Sequence, residues 1–73
     1  MKLNHAYWVY ILQCADGSYY TGVTNNIEKR IEEHNLGLDS KSYTFSRRPL
    51  QLKYTEFYTD VKFAILREKQ IKR

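Results

Sequence analysis

The chain has few of the residues that usually brace a small protein: one cysteine (Cys14), one proline (Pro49) and three glycines in 73 residues. A lone cysteine excludes an internal disulfide, and no Cys/His cluster is present that would hold a structural zinc. A fold without such staples rests on side-chain packing, and a domain this short lies near the lower limit for a self-sufficient core. No apolar run approaches the roughly 18 residues of a membrane span. The N-terminus carries a lysine but not the sustained apolar stretch of a secretory leader. A reduced, cytoplasmic setting is the expectation for a single thiol. No linker, repeat or low-complexity tract is visible, so residues 1–73 are read as a single domain.

What the chain does have is aromatic side chains and positive charge. Seven Tyr, three Phe and one Trp make up 15% of it. The formal charge is +4, unevenly spread. Residues 1–40 hold three basic side chains against five acidic, net −2, and residues 41–73 hold nine against three, net +6. A polyanionic partner suits the second half, although on charge alone a solvated basic surface is the favoured reading.

Residues 7–14, Tyr-Trp-Val-Tyr-Ile-Leu-Gln-Cys, are β-branched, aromatic and almost wholly apolar, the pattern of a central strand covered on both faces. Asp16-Gly17 signals a hairpin, with Ser18 to Val23 returning. Asn25 or Asn26 caps a helix over 27–35, and Gly37 stands where a helix-ending glycine belongs. Residues 38–48 are a polar loop with at most one short helical turn. Leu50 to Phe57 follow as a third strand, with Leu50, Leu52, Tyr54 and Glu56 on one face. Thr59 or Asp60 caps a second helix that runs to the last residue with no stop signal, which leaves room for a continuation of the domain beyond residue 73. The order β-β-α-β-α predicts an α+β fold, an antiparallel sheet with helices packed on it.

Both helices carry polar residues where the core should be. The first helix's apolar stripe reads Ile27, Arg30, Ile31, His34, while Glu28, Lys29, Glu32 and Glu33 fill the solvated face. In the second, the stripe reads Val61, Ala64, Ile65, Glu68, Ile71. Each exception has an ordinary explanation: a snorkelling arginine, a satisfied histidine, a glutamate paired with a neighbour such as Arg30. Three in so short a chain point instead to one shared polar cleft. Lys62, Lys69, Lys72 and Arg73 read as surface charges.

Tyr10 lies mid-way along the first strand and Tyr20 on the second. With Trp8-Val9-Tyr10 and Tyr20-Thr21-Gly22, then Arg30, His34 and Glu68, and with Arg47-Arg48-Pro49, the sequence resembles the GIY-YIG endonuclease domain, most of all its small stand-alone bacterial members, over residues 7–73. The first triplet retains the tyrosine but lacks the family's glycine and isoleucine. The resemblance implies a three-stranded antiparallel sheet flanked by helices, and phosphodiester hydrolysis with one divalent metal, Mg²⁺ or Mn²⁺. By that resemblance Glu68 holds the metal and Tyr10 is the general base or the group that orients water. Tyr20, Arg30 and His34 then position phosphate, share proton transfer or stabilise charge. A hard cation with a single protein carboxylate, waters and a substrate phosphate is chemically sound.

A two-residue Asp16-Gly17 turn would place Tyr20 opposite Gln13 and send Tyr10 to the other face of the sheet. A site that uses both tyrosines therefore requires a wider loop or a bulge. Lys41, Arg47, Arg48 and Lys53, interleaved with Tyr43 and Phe45, are candidates to track a nucleic-acid backbone and stack bases. The expected function is a metal-dependent endonuclease acting on DNA, with repair or processing of branched or damaged DNA as its setting. The alternatives are a nucleic-acid-binding module of the same fold with little or no catalysis, and a small protein-interaction domain.

Overall fold

The computed structural model describes residues 5–72; the surface position expected for Arg73 lies outside the described residues. The elements follow the expected order: β1 Tyr7–Gln13, β2 Tyr19–Thr24, α1 Ile27–Leu36, a 3-10 turn Phe45–Arg47, β3 Gln51–Tyr58 and α2 Val61–Lys72. The sheet is antiparallel in the order β2-β1-β3, with β1 central.

The β1–β2 hairpin turns through three residues, Ala15, Asp16 and Gly17. Cys14 N–H donates to Ser18 O (2.8 Å) and Gly17 N–H to Cys14 O (3.0 Å). Gly17 takes φ +87°, open to glycine at no steric cost, and Asp16 Oδ1 accepts from Ser18 N at 3.0 Å. The third loop residue shifts the register by one from a two-residue turn, so Tyr20 faces Leu12 and Tyr10 faces Gly22. Tyr10, Leu12 and Tyr20 thereby share one face of the sheet, as the wider-loop expectation required.

On the other side of β1 the register slips between Ile11, opposite Tyr54, and Leu12, opposite Leu52, with Lys53 as the extra residue. This bulge corrects the sequence reading of β3. Leu52 shares the Tyr10 face, whereas Tyr54 and Glu56 share the opposite one with Ile11 and Val9.

On the Tyr10 face, Tyr10, Leu12, Cys14 and Leu50 form a buried cluster, against which Ile27 and Ile31 of α1 pack. The α1 stripe therefore faces the sheet as its periodicity predicts. Asn26 caps it by accepting from Lys29 N–H, and Gly37 ends it at φ 68°. Asn35 clasps the start of β3, accepting from Leu50 N at 2.8 Å and donating to Leu50 O at 3.4 Å.

Helix α2 lies against all three strands, with Ala64 fully buried. Its inner stripe is rotated from the expected one: Val61 and Ile65 are exposed, while Arg67 joins Ala64, Glu68 and Ile71 on the inner side. The cause is Glu56. Its carboxylate accepts from the Tyr54 and Tyr58 phenols, and Arg67 Nε completes the set at 2.9 Å. The guanidinium, followed by the Tyr54 phenol, holds the Glu56 carboxyl down at about 2.

A carboxyl whose folded-state pKa is depressed stabilises the fold above its ordinary value and loses that contribution as pH falls through the folded value. Stability should therefore decline from about pH 4.5 towards pH 2. Glu56→Gln should flatten that segment of the profile in chemical denaturation followed against pH.

Candidate active site

The site is built on the face that the three-residue loop creates. Tyr10, fully buried, reaches across to α1, where its phenol oxygen lies in hydrogen-bonding distance, 3.1 Å, of Nε2 of the buried His34. Tyr20 packs beside both, with ring centroids 6.3 Å from Tyr10 and an edge-on 5.1 Å from His34. The Tyr10 ring lies flat over Gly22: a Cβ at that position would stand inside the van der Waals radii of Tyr10 Oη and Cζ. The glycine of the second triplet is thus the seat of the first triplet's tyrosine.

Electrostatics keep this core neutral. Burial is the main cause that pushes the Tyr10 phenol up to about 12, with the positive Arg30 guanidinium pulling the other way. Desolvation and then Arg30 push His34 below its ordinary value. At neutral pH the pair is a phenol and a neutral imidazole. An already ionised Tyr10, the costly form of a tyrosine base, is not what this environment favours.

Arg30 pairs with Glu33 one turn on, Nη1 to Oε1 at 3.1 Å, both side chains being partly exposed. Such a pair is worth at most about 1 kcal/mol and yields readily to a stronger anion. Glu68, whose carboxylate adds a smaller upward push on Tyr10, pairs with Lys72 and not with Arg30: Nζ–Oε2 is 3.0 Å. Lys72 Nζ also lies 6.0 Å over the Tyr20 ring. Lys72 is exposed, as its reading as a surface charge expects, and it also borders the site. Its only signal in the sequence is the Glu-to-Lys i,i+4 spacing.

The nucleic-acid candidates separate into two groups. Tyr43 stacks on Tyr20 (6.4 Å between centroids), and with Lys53 it lines a cavity of about 820 Å³ together with Tyr19, Tyr20, Tyr54 and Lys72. Arg47 and Arg48 are engaged within the 38–48 loop. Arg47 bonds Asp16 Oδ2 (3.0 Å) and Tyr43 O (2.7 Å) and stacks on the Tyr43 ring at 3.8 Å. Arg48 bonds Phe45 O (2.7 Å) and lies against Gly37, where an added Cβ would have to push its guanidinium aside. Lys41 is exposed on the loop.

The described residues include no cluster of three or more His, Cys, Asp or Glu able to hold a metal ion. Glu68 instead offers one carboxylate, a hard-oxygen donor. That donor suits Mg²⁺ or Mn²⁺, which take much of their shell from water and phosphate, and not a Cys/His-bound zinc. Among the described residues, no helix is long and apolar enough to cross a membrane.

A tyrosine pair on an antiparallel sheet, faced by Arg and His of one helix and Glu of the next, defines a class: residues 6–73 match the GIY-YIG catalytic domain, and the chain belongs to that family. Its relatives are small microbial proteins named UPF0213. One from Bacillus cereus is 52% identical over 99% of this chain and 72% of its own length. One from Desulfotalea psychrophila is 52% identical over 93% of this chain and 62% of its own. The solution NMR structure of an Enterococcus faecalis protein superposes with a TM-score of 0.62 at 34% identity, covering 99% of this chain and 76% of that one. A UPF0213 protein from Bacillus halodurans gives 0.56 at 37%, over 92% and 70%. The family implies nuclease-type function and a nucleic-acid substrate.

Gly22→Ala should force the Tyr10 ring off its seat and destabilise the fold by about 1–3 kcal/mol, seen as a lowered Tm. Phenolate absorbance should show one tyrosine ionising near pH 12 and lost in Tyr10→Phe. Because this pKa is raised on folding, stability should fall as pH climbs from 10 towards 12, less steeply in the variant.

Proposed function

We propose that the protein is a metal-dependent endonuclease that cleaves phosphodiester bonds in DNA, with repair or processing of branched or damaged DNA as its setting. The observation that carries this reading is the buried Tyr10–His34 contact, flanked by Arg30 and Glu68. Glu68 would hold the Mg²⁺, or Mn²⁺, and Lys72, on a flexible and half-exposed stem, is free to swing aside. When bound, the metal supplies charge neutralisation at the phosphate and a more acidic water.

Arg30 releases Glu33 and binds the phosphate oxygens. The attacking water gives its proton to Tyr10 Oη as Tyr10 passes its own to His34 Nε2. One P–O bond forms as the opposite ester bond breaks, the leaving alkoxide takes a proton from solvent, and the attacking water's proton rests on the imidazole. Tyr10 in this scheme is a relay that never needs to be a free phenolate, consistent with burial holding it protonated. Tyr20 supports both rings and borders the cavity. Tyr43 and Lys53 there, with Lys41 on the loop, contact bases and backbone. Arg47 and Arg48 serve the substrate by bracing the loop that carries these residues.

The second reading is a binding module with little or no catalysis. The observation on its side is the Lys72 ammonium seated on the Glu68 carboxylate.

Incubation with plasmid and with branched oligonucleotides in Mg²⁺ or Mn²⁺ tests the proposal. Cleavage should stop on chelation and fall by roughly 10²- to 10⁴-fold in Tyr10→Phe and His34→Ala, and be abolished in Glu68→Gln. Activity that survives both Glu68→Gln and Tyr10→Phe would place the chemistry elsewhere. Binding without cleavage by the wild type would establish the second reading.

A further inference from the structure

Beyond Tyr10, His34 has a second partner, on the 38–48 loop. Its Nδ1 lies 2.9 Å from Thr44 Oγ1. Thr44 is 1% exposed, the most deeply buried polar residue described, in a loop whose neighbours are solvated. Its hydroxyl in turn meets Ser42 Oγ at 2.9 Å, and that oxygen also accepts the Thr44 N–H at 3.2 Å. A hydroxyl has one proton and two lone pairs, and a neutral imidazole has one N–H and one lone pair. These capacities give the chain a direction.

Among the described residues the hydrogen-bond partner of the Tyr10 phenol is His34 Nε2, and Arg30, whose charge acts on that phenol, has only donors to offer. The Tyr10 proton therefore goes to His34 Nε2, which must be the bare nitrogen. Nδ1 then carries the proton and donates to Thr44 Oγ1, and the Thr44 proton goes to Ser42. Every group is satisfied once, in agreement with the lack of unpartnered buried side-chain N or O atoms among the described residues. In the opposite tautomer Nε2–H would donate to the phenol oxygen, and the Tyr10 proton would lose its acceptor, His34 being the hydrogen-bond partner the phenol has among the described residues.

We propose that Thr44 is a positioning residue: its buried hydroxyl holds His34 in the Nδ1–H tautomer and keeps the Nε2 lone pair aimed at the Tyr10 proton. When that proton arrives, the Nδ1–H donor becomes charge-assisted and Thr44 stabilises the imidazolium. Ser42 orients Thr44. The loop arginines extend the arrangement: Arg47, tied to Asp16 and Tyr43 O, and Arg48, tied to Phe45 O, hold residues 42–48 against α1. The kinetic consequence rests on the function proposed above. The tautomer does not, and it is measured separately.

Long-range ¹H–¹⁵N correlation spectra of histidine-labelled protein report which ring nitrogen of His34 is protonated. The wild type and Thr44→Ser should show one Nδ1–H tautomer. Thr44→Val should lose it to a mixture or to Nε2–H. Ser42→Ala, which removes the acceptor for the Thr44 proton and lets Thr44 donate to Nδ1, should move His34 the same way and keeps the test decisive if Thr44→Val does not fold. In cleavage, Thr44→Val should lower kcat roughly ten- to a hundredfold, the range seen for partners that orient functional histidines, with little change in KM and with rescue by Thr44→Ser. A wild-type His34 protonated on Nε2 overturns the proposal, as does a folded Thr44→Val or Ser42→Ala that keeps the wild-type signature. If the wild type does not cleave DNA, the function proposed above fails while the spectra still judge Thr44.

Discussion

One extra loop residue, with Gly17 at φ +87°, decides which face of the sheet Tyr20 occupies. Side chains alternate along a strand, so a slip of one position moves every one of them to the other side. With the three-residue loop, Tyr10 and Tyr20 meet under α1, Gly22 falls beneath the Tyr10 ring, and His34 comes within hydrogen-bonding distance of the phenol. With a two-residue turn each of these contacts would be lost together. The Arg47–Asp16 pair and the Ala15 N–H to Arg47 O bond (2.8 Å) then tie the same loop to the 38–48 segment. The hairpin tip thus supports both halves of the site.

Burial sets the chemistry of what meets there. Tyr10 is the largest fully buried side chain described, so in the proposed function one residue would serve as core and as reacting group. The same desolvation that makes it useful for packing holds its proton on and keeps His34 neutral. A phenol of high pKa next to an imidazole of low pKa makes a poor ionised base and a workable relay, because the proton leaves Tyr10 only as another arrives. The charged members, Arg30 and Glu68, sit at the rim, where their partners Glu33 and Lys72 are exchangeable.

The opposite face has a different task. Glu56, gathered by Tyr54, Tyr58 and Arg67, anchors α2 to β3 through a polar knot in place of apolar contact. This explains how α2 leaves Phe63, Leu66 and Ile65 exposed and still carries Glu68 to the site. It also explains why Arg67, and not Ile65, lies on the inner side.

Much of this was legible from residues alone. The order of elements, the central apolar strand, a cap at Asn25 or Asn26 with Gly37 at the other end, and the α1 stripe that takes Arg30 and His34 to the sheet all follow from local periodicity and turn chemistry. The GIY-YIG family was legible as a resemblance, carried by Tyr10, Tyr20, Arg30, His34 and Glu68. Those signals lie within a few residues of each other or in a short motif. Only the tertiary structure decided the rest: the bulge at Lys53 that parts Leu52 from Tyr54, the rotation of α2, the place of Lys72 beside Glu68 and Tyr20, the engagement of Arg47 and Arg48 within the loop, and the burial of Thr44 against His34. Each depends on which groups meet across the sheet or the loop, and a hydrogen bond between residues ten or more apart leaves no period in the sequence from which to read it.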